Sequence, residues 1–365
     1  MHKEQIKKRF LELQSLIGVS GREMDVIAYA KAAMEPYADR IEVLTNGNLV
    51  FWKNGSRPGP TVLFTAHADE IGLVIKYISP DGFLYFERVG GFPTKALPAR
   101  RVTIRGEKGP VVGVVGITPQ HIQSPAEANS VPTAEQCYID VGASSEADVL
   151  ALGVQIGCTA VCDSPTVELN NPDLLTGRCA DNRISCAVLI EFAKELATLD
   201  FAGTVCLAIT VQEEVALLGG AQVSNLVDPD YSVVLDTFPG GGTPDVPAKL
   251  LCSQMGKGPC VLYCEGYPSA MLFAAPHPKL ITLLQTIARD KGIPMQHTTL
   301  CEKAAATDIS GISKFGNNKP AVTIATIRRY SHSPVEVIDL RDVDGVYELV
   351  REVVLRNEHV DLSFI

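Results

Sequence analysis

Near-continuous apolar runs alternate along this chain with segments of helical periodicity. Four runs are apolar almost throughout, as expected of strands that are covered on both faces. They are residues 61–65, 204–211, 231–235 and 321–327. Elsewhere, apolar residues repeat at spacings of three and four, which predicts helices over segments such as 184–196, 280–287 and 343–353. The alternation predicts an α/β fold in which helices cover a mixed, mostly parallel sheet.

A different pattern occupies the stretch between the first two apolar runs. Short β-rich runs, separated by turns, follow one another with few helical stretches; examples are residues 74–78, 83–89, 101–105 and 111–115. Strands at this spacing are typical of a small barrel or sandwich. We therefore predict one unit made of residues 1–72 and 163–365, with an all-β domain of residues 73–162 inserted into it.

Composition and charge argue against several classes of protein. The chain has 365 residues, 32 basic and 42 acidic side chains and a formal charge of −10, so it lacks the basic surface typical of nucleic-acid-binding proteins. Its apolar runs are far shorter than the roughly 20 residues that cross a membrane. No apolar stretch follows the charged N-terminus as in a secretory signal, and the ten cysteines form no C-x-x-C pair. We expect a cytoplasmic protein, with reduced cysteines, that binds neither nucleic acid nor membranes.

Side chains that can bind a cation follow each of the four apolar runs. They are His67 after the first run, Glu213 and Glu214 after the second, Asp236 after the third, and His332 a few residues after the fourth. Because ligands bind beyond the carboxyl ends of the strands in open α/β sheets, we expect these side chains to meet. Asp181, which precedes a predicted helix, is a further candidate.

Two imidazoles and three or more carboxylates form a nitrogen and oxygen set that suits zinc first, and also cobalt or manganese. Five ligands are too many for one tetrahedral zinc ion with an open position. They fit two divalent cations about 3.5–4 Å apart that share one carboxylate and one water molecule. Asp69, two residues after His67, is placed to accept the N–H of its ring and to select the tautomer.

The adjacent glutamates favour two different roles. Neighbouring residues at a strand end point to opposite sides, so one glutamate is expected to bind metal while the other accepts the proton of an attacking water. Simpler explanations exist for each candidate: Asp181 as a helix N-cap, and Asp236 and His332 as turn or loop residues. Their convergence favours a metal site.

Five short stretches resemble, in chain order, the signatures of metallopeptidase family 42. They are His67-Ala-Asp-Glu-Ile-Gly72, Val211-Gln-Glu-Glu-Val215, Val234-Leu-Asp236, Thr307-Asp308 and Arg329-Tyr-Ser-His-Ser-Pro334. The family comprises dinuclear aminopeptidases of the tetrahedral, dodecameric kind, including glutamyl aminopeptidases and members once labelled cellulases. The resemblance extends over nearly the whole chain.

This resemblance implies a phosphorylase/hydrolase-like zinc-peptidase fold, peptide substrates and two divalent metal ions per subunit. It implies metal ligation by His67, Asp181, Glu214, Asp236 and His332, with Asp181 as the bridge, Glu213 as general base and Asp69 as the carboxylate that orients a ligand. It also implies that residues 73–162 form a dimerisation domain and that dimers assemble into a dodecamer.

The chain departs from the family pattern at three places. Asn182 stands where the family usually has a second aspartate, and Ala216-Leu-Leu-Gly-Gly220 replaces Gly-Leu-Arg-Gly. Ile327-Arg328 replaces Pro-Thr and adds a cation whose orientation the sequence does not determine.

These departures leave open a non-catalytic member that binds a partner or small molecule. A deacylase of small N-acyl compounds is a further alternative to an aminopeptidase, because it needs the same metals and base. A glycoside hydrolase fits poorly, because such enzymes hold two carboxyl groups about 5–9.5 Å apart on either side of a sugar ring.

Overall fold

The computed structural model describes residues 2–302 and 305–365, and within them it contains eighteen strands and ten α-helices. The strands are β1 (Arg40–Val43), β2 (Leu49–Asn54), β3 (Arg57–His67), β4 (Gly72–Ile78), β5 (Leu84–Val89), β6 (Arg101–Gly106), β7 (Gly109–Val115), β8 (Ile139–Asp140), β9 (Thr159–Cys162), β10 (Val167–Glu168), β11 (Leu174–Gly177), β12 (Ala202–Thr210), β13 (Tyr231–Pro239), β14 (Cys260–Tyr267), β15 (Leu272–Ala274), β16 (Gln296–Leu300), β17 (Ala321–Arg328) and β18 (Glu336–Asp339). The helices are α1 (His2–Gln14), α2 (Met24–Met34), α3 (Pro125–Ala128), α4 (Glu146–Ala151), α5 (Ala180–Leu196), α6 (Glu213–Ala216), α7 (Leu218–Val227), α8 (Pro278–Lys291), α9 (Asp308–Phe315) and α10 (Leu340–Leu355).

Four neighbouring parallel strands, β12, β3, β13 and β17, form the centre of a nine-stranded sheet. They contain the four apolar runs. Antiparallel strands flank them on both sides, in the order β1-β2 beyond β12 and β14-β15 beyond β17, with β16 pairing with β14. Since the four central strands run in the same direction, their carboxyl ends lie along one edge of the sheet.

Helices cover both faces of this sheet. In β3, Val62 and Phe64 belong to a core that includes residues of α1, α2, α5, α8 and α10, whereas Leu63 packs with Val223 of α7 on the other face. Val234 of β13 packs with Ile309 of α9 in a further cluster. Successive strand residues point to opposite faces, so a strand between two helical layers must be apolar throughout. The predicted α/β architecture is confirmed.

The β-rich stretch folds into a closed six-stranded antiparallel barrel, in the order β4-β5-β8-β7-β6-β9. Its interior is filled by apolar side chains such as Phe86, Val102 and Ile104, all fully buried. The six strands run from Gly72 to Cys162, and we retain residues 73–162 as the proposed bounds of an inserted domain. No helix within residues 2–302 and 305–365 combines the length and apolar character needed to cross a bilayer.

A small antiparallel sheet joins the start of α5 to the C-terminal part of the chain. It consists of β10, β11 and β18, and it pairs Gly177 of β11 with Glu336 of β18. Because α5 begins at Ala180, this pairing brings Glu336 next to the first residues of α5. The small sheet therefore connects two segments that are more than 150 residues apart in the chain.

Glu70 forms a buried ionic cluster with two arginines just after β3. Its carboxylate contacts Arg178 and lies 3.4 Å from Nη2 of Arg183. The arginines also donate to backbone carbonyls near the end of α1: Arg178 to that of Gln14 at 2.6 Å and Arg183 to that of Leu13 at 2.9 Å. The cluster holds α1, the end of β3 and the start of α5 together.

We predict that Glu70→Gln destabilises the fold strongly, because it leaves two buried guanidinium groups without their counter-charge. Loss of one partner of a buried ion pair typically costs about 3–5 kcal/mol. Glu87→Gln is the matched control: Glu87 lies on the barrel surface, 2.6 Å from Lys76 with 60% of its side chain exposed, and such pairs contribute below about 1 kcal/mol. Thermal unfolding midpoints at equal protein and metal concentration measure both changes. Equal midpoints for the two variants would contradict the role given to Glu70.

Candidate metal centre

The candidate residues meet at the edge of the sheet formed by the carboxyl ends of the four central strands. Strand register aligns His67 with Thr210, the last residue of β12, and Arg328 at the end of β17 with Pro239 at the end of β13. Asp236 lies within β13, three residues before its end. The loop after β17 carries His332 back over the same edge.

Two imidazoles face the two oxygens of one carboxylate. The Nε2 atom of His67 lies 3.2 Å from Oδ1 of Asp181, and the Nε2 atom of His332 lies 3.3 Å from Oδ2 of the same residue. His67 Nε2 is also 3.7 Å from Oδ1 of Asp236, and His332 Nε2 is 3.4 Å from Oε2 of Glu214. Asp181 thus lies between two clusters of potential ligands.

The arrangement fits a bound divalent cation. Ligand atoms of His67, Asp181 and Glu214 lie within 4.8 Å of one another, and so do those of His67, Glu213 and Asp236. Nitrogen and carboxylate donors in this number suit zinc, cobalt or manganese. Glu213 Oε2 lies 3.8 Å from His67 Nε2, so the geometry allows Glu213 to be either a ligand or a free proton acceptor.

The backbone around Asp181 directs its carboxylate into the cluster. Asp181 and Asn182 have non-helical torsion angles although they lie near the start of α5, and the carboxylate of Asp181 accepts a hydrogen bond from Thr237 Oγ1 at 3.0 Å. The side chain of Asn182 donates to the carbonyl of Leu235 at 2.8 Å, next to Asp236. With asparagine at position 182, Asp181 keeps its place in the cluster. The Asn182 side chain forms a hydrogen bond with the strand that carries Asp236.

The prediction that Glu213 and Glu214 extend a strand end is wrong. Strand β12 ends at Thr210, and the two glutamates begin the single helical turn α6. Asp69 accounts for this turn, because its carboxylate accepts hydrogen bonds from the backbone N–H groups of Glu213 and Glu214 at 3.0 and 3.1 Å. The glutamates still point differently: Glu213 lies near Asp236 and His67, and Glu214 near His332.

Asp69 also contacts His67 and the N-terminal part of the chain. Its carbonyl and its Oδ1 atom lie 3.2 and 3.4 Å from His67 Nδ1, which leaves Nε2 of the ring directed at the carboxylates. Ser20 Oγ donates to Asp69 Oδ2 at 2.6 Å. Burial alone would raise the pKa of Asp69, but the hydrogen bonds from His67, Ser20 and the Glu213 backbone hold it below its usual range.

Crowding of acidic groups in a buried place raises the pKa of most of the cluster. Burial, together with the charge of Asp181, raises the pKa of Glu214 to about 8. Burial and the neighbouring carboxylates likewise raise the pKa of Glu213 well above its usual range, and that of Asp236 moves in the same direction. Without a cation, the cluster holds more negative charge than its buried surroundings readily accommodate, which supports the fit to metal.

At Asp181 and the two histidines the surroundings favour the ionised form, which lowers the pKa of the acid and raises the pKa of the imidazoles. Although burial disfavours its ionised form, the charge of Arg328 and the contacts with His332 and His67 keep the pKa of Asp181 well below its usual range. Burial would lower the pKa of His332, but the charges of Glu214 and Asp181 raise it to about 9. His67 likewise has a raised pKa, because Glu213, Asp181 and Asp236 outweigh its burial.

The sequence did not point to Glu336, a buried acid beside the cluster, and it did not give the orientation of Arg328, which is also buried. Glu336 accepts hydrogen bonds from the backbone N–H groups of Asp181 at 3.1 Å and His332 at 2.9 Å. Arg328 lies with Nη2 only 2.5 Å from Asp181 Oδ2 and with Nε 3.2 Å from Glu336 Oε1. An acid between two valines, four residues after His332, was the available signal for Glu336.

Two other stretches that were compared with the family pattern, Thr307-Asp308 and Ala216–Gly220, contact each other in the fold. Thr307 accepts a hydrogen bond from the backbone of Ile309 and so caps α9. Asp308 accepts from Thr210 Oγ1 at 2.8 Å and from the N–H of Gly220 at 3.3 Å, which links the end of β12 to α7. A Cβ atom at Gly220 would lie only 2.6 Å from Cγ of Asp308, so the glycine permits this close approach.

A cleft of about 830 Å³ opens from the cluster. Within the described residues, the charged side chains that line it all belong to the cluster or its immediate contacts. The remaining wall is mainly apolar; it includes Leu217, Phe238, Leu272, Ala305 and Phe315, with Tyr267. The cleft therefore joins a strongly acidic end to a wall that is mainly apolar among the described residues.

Comparisons with known proteins agree with this fold. Residues 47–349 match the family model described as M42 glutamyl aminopeptidase. Putative aminopeptidase SgcX of Escherichia coli is 31% identical over 88% of this chain and 84% of its own length. The aminopeptidase APDkam598 from Desulfurococcus kamchatkensis has a similar structure, with a TM-score of 0.90, 32% identity and coverage of 97% of this chain and 95% of its own.

A third relative is described by its assembly as well as its activity. The TET1 peptidase of Pyrococcus horikoshii, which can assemble into a tetrahedron or a large octahedral shell, has a TM-score of 0.83 with 29% identity. The match covers 97% of this chain and 99% of that protein. With the family model matching most of the chain and aminopeptidases matching nearly its whole length, the chain belongs to the M42 family of aminopeptidases and is a peptidase.

Proposed function

We propose that this aminopeptidase uses two divalent cations, zinc or else cobalt or manganese, with Asp181 bridging them. One cation site is made of His67, Asp181 and Asp236, and the other of Asp181, Glu214 and His332. The observation that carries this assignment is the pair of imidazoles facing opposite oxygens of the Asp181 carboxylate, at 3.2 and 3.3 Å. When bound, such cations acidify a shared water molecule and polarise the scissile carbonyl.

In this proposal Glu213 moves the proton. Its carboxylate accepts a proton from the water that attacks the peptide carbonyl, and it returns that proton to the amine as the C–N bond breaks. Burial and the charges of Asp236 and Glu214 raise its pKa, which strengthens it as a base once it is ionised. Asp69 is a positioning residue, because it contacts both the ring of His67 and the turn that carries Glu213 and Glu214.

The substrate is a peptide with a free amino terminus. In this proposal, carboxylate oxygens at the closed end of the cleft accept hydrogen bonds from the α-amine. The apolar wall around Leu272 and Phe315 then receives the first side chain. We therefore propose apolar N-terminal residues as the preferred substrates.

The assembly is proposed to be homo-oligomeric, with dimers forming a dodecamer in the cytoplasm and residues 73–162 making the dimer contact. On barrel strand β7, Val112 and Val114 are 60% and 45% exposed. Two valines side by side on one face of a strand favour a surface that a second copy covers. The tetrahedral and octahedral assemblies described for the TET1 peptidase support an assembly of this type.

We predict that Glu213→Gln loses most of its kcat, by about 10²–10⁴-fold, because the amide cannot accept the proton. Metal content measured on the same sample is expected to stay at the wild-type value. Glu214→Gln is the matched control, since removal of a ligand should lower metal content and activity together. Loss of metal in Glu213→Gln would assign this residue as a ligand. Unchanged turnover would place the chemistry at another site.

We predict that aminoacyl substrates beginning with Leu, Met or Phe are cleaved with kcat/KM about tenfold or more above those beginning with Glu or Lys, because an uncharged wall gives a charged side chain no partner. A metal-titrated panel of peptides measures this preference. N-acetylation of the best peptide should abolish its cleavage. Release of the acetyl group instead would identify a deacylase, and a preference for Glu would overturn the proposed pocket.

We predict that the double substitution Val112→Lys with Val114→Lys lowers the assembly state while leaving the barrel folded. Two added charges oppose burial of this face against another copy. Light scattering after size-exclusion chromatography measures the mass, and Val43→Lys, at a 41% exposed position on β1, is the control. An unchanged mass for the double variant would remove this strand from the interface.

A further inference from the structure

Arg328 is a buried cation at the edge of the metal cluster. It is the last residue of β17, and only 3% of it is exposed. Its guanidinium group contacts Asp181, Glu336 and Thr237, and it donates to Ser331 Oγ at 2.7 Å. These contacts hold the guanidinium group against the carboxylate of Asp181, the candidate bridge.

The contact of Arg328 with Asp181 is one-sided. Nη2 of Arg328 lies 2.5 Å from Oδ2 of Asp181, the oxygen that faces His332. The other oxygen, Oδ1, faces His67 and accepts a hydrogen bond from Thr237. Of the two proposed cation sites, therefore, only that of Asp181, Glu214 and His332 shares an oxygen with a permanent positive charge.

We propose that Arg328 is a positioning residue that holds Asp181 in its bridging orientation before metal binds and makes the site of Glu214 and His332 the weaker of the two cation sites. This inference rests on the proposed two-cation function. A guanidinium group stays charged at all physiological pH values, so its repulsion of a cation bound at Oδ2 is permanent. Oδ1 is separated from that charge by the width of the carboxylate, and repulsion falls with distance.

The unequal exposure of the two histidines increases the difference in affinity between the two cation sites. The side chain of His67 is 2% exposed and that of His332 is 33% exposed. Water reaches the second site more readily, which favours exchange of a cation there. Glu336 offsets part of the charge of Arg328 at 3.2 Å, but this carboxylate also accepts hydrogen bonds from the backbones of Asp181 and His332, so it stays behind the site and does not replace a ligand.

Arg328 also balances part of the negative charge around Asp181. Asp181 lies among the carboxylates of Glu214, Asp236 and Glu336, and like charges at such spacing repel one another. A guanidinium group against Oδ2 balances that repulsion. The first cation then meets ligands that are already in place, so that less ordering accompanies its binding.

Stepwise metal binding tests the proposal. Metal-free full-length protein is titrated with Zn²⁺ against a chromophoric chelator, and bound metal is counted by elemental analysis. We expect two steps in the wild type, the first about tenfold or more tighter than the second, because the charge of Arg328 acts more strongly on the second site. In Arg328→Thr and Arg328→Met the second step should tighten by about tenfold or more, while the first step stays equal or weakens.

Two further variants separate charge from side-chain loss. Arg328→Lys keeps the charge and should keep the difference between the two binding constants. Arg289→Met removes an arginine with 74% side-chain exposure and should change neither constant. Equal constants for the two steps in the wild type would overturn the proposal even if Arg328→Met does not fold. An unchanged second step in a folded Arg328→Met would also overturn it while leaving the two-cation function intact. Failure of the wild type to bind a second ion at all would instead contradict the proposed function.

Discussion

The candidate site depends on one constraint, the concentration of negative charge in a buried place. Parallel strands end at one edge of the sheet, and that edge gathers Glu213, Glu214 and Asp236 around Asp181. Buried carboxylates at such spacing repel one another, and their ionised forms require cations. His67, His332 and Arg328 supply part of that balance, and the proposed metal ions supply the remainder. The arrangement of the neighbouring residues follows from keeping these acids together.

Two carboxylates outside the ligand set hold the cluster in place. Asp69 accepts hydrogen bonds from the backbone at the start of α6 and contacts His67, whereas Glu336 accepts from the backbones of Asp181 and His332. Each therefore links segments that are distant in the chain. Such outer contacts orient metal ligands and are as necessary to a site as the ligands themselves.

Arg328 lies beside Glu336 and stands where the family pattern that the sequence resembles has a threonine. A threonine at that position would bring no charge to the bridging carboxylate. With arginine there, one oxygen of Asp181 is already paired with a cation while the other is directed at His67. Similarity of fold to other M42 aminopeptidases is thus compatible with unequal affinities at the two proposed cation sites, because a single buried charge beside a shared ligand acts on one site more than on the other.

The sequence by itself determined the architecture and the membership of the cluster. Strands covered on both faces must be apolar throughout, so runs such as 61–65 and 231–235 marked the centre of the sheet, and the parallel arrangement required the residues that follow them to meet. Local rules could not predict the turn at Glu213, because the carboxylate of Asp69 that binds its N–H groups lies 144 residues away in the chain. The orientation of Arg328 and the place of Glu336 were likewise decided only by tertiary structure: they depend on the pairing of β11 with β18, and long-range pairing leaves no periodic signal in the chain.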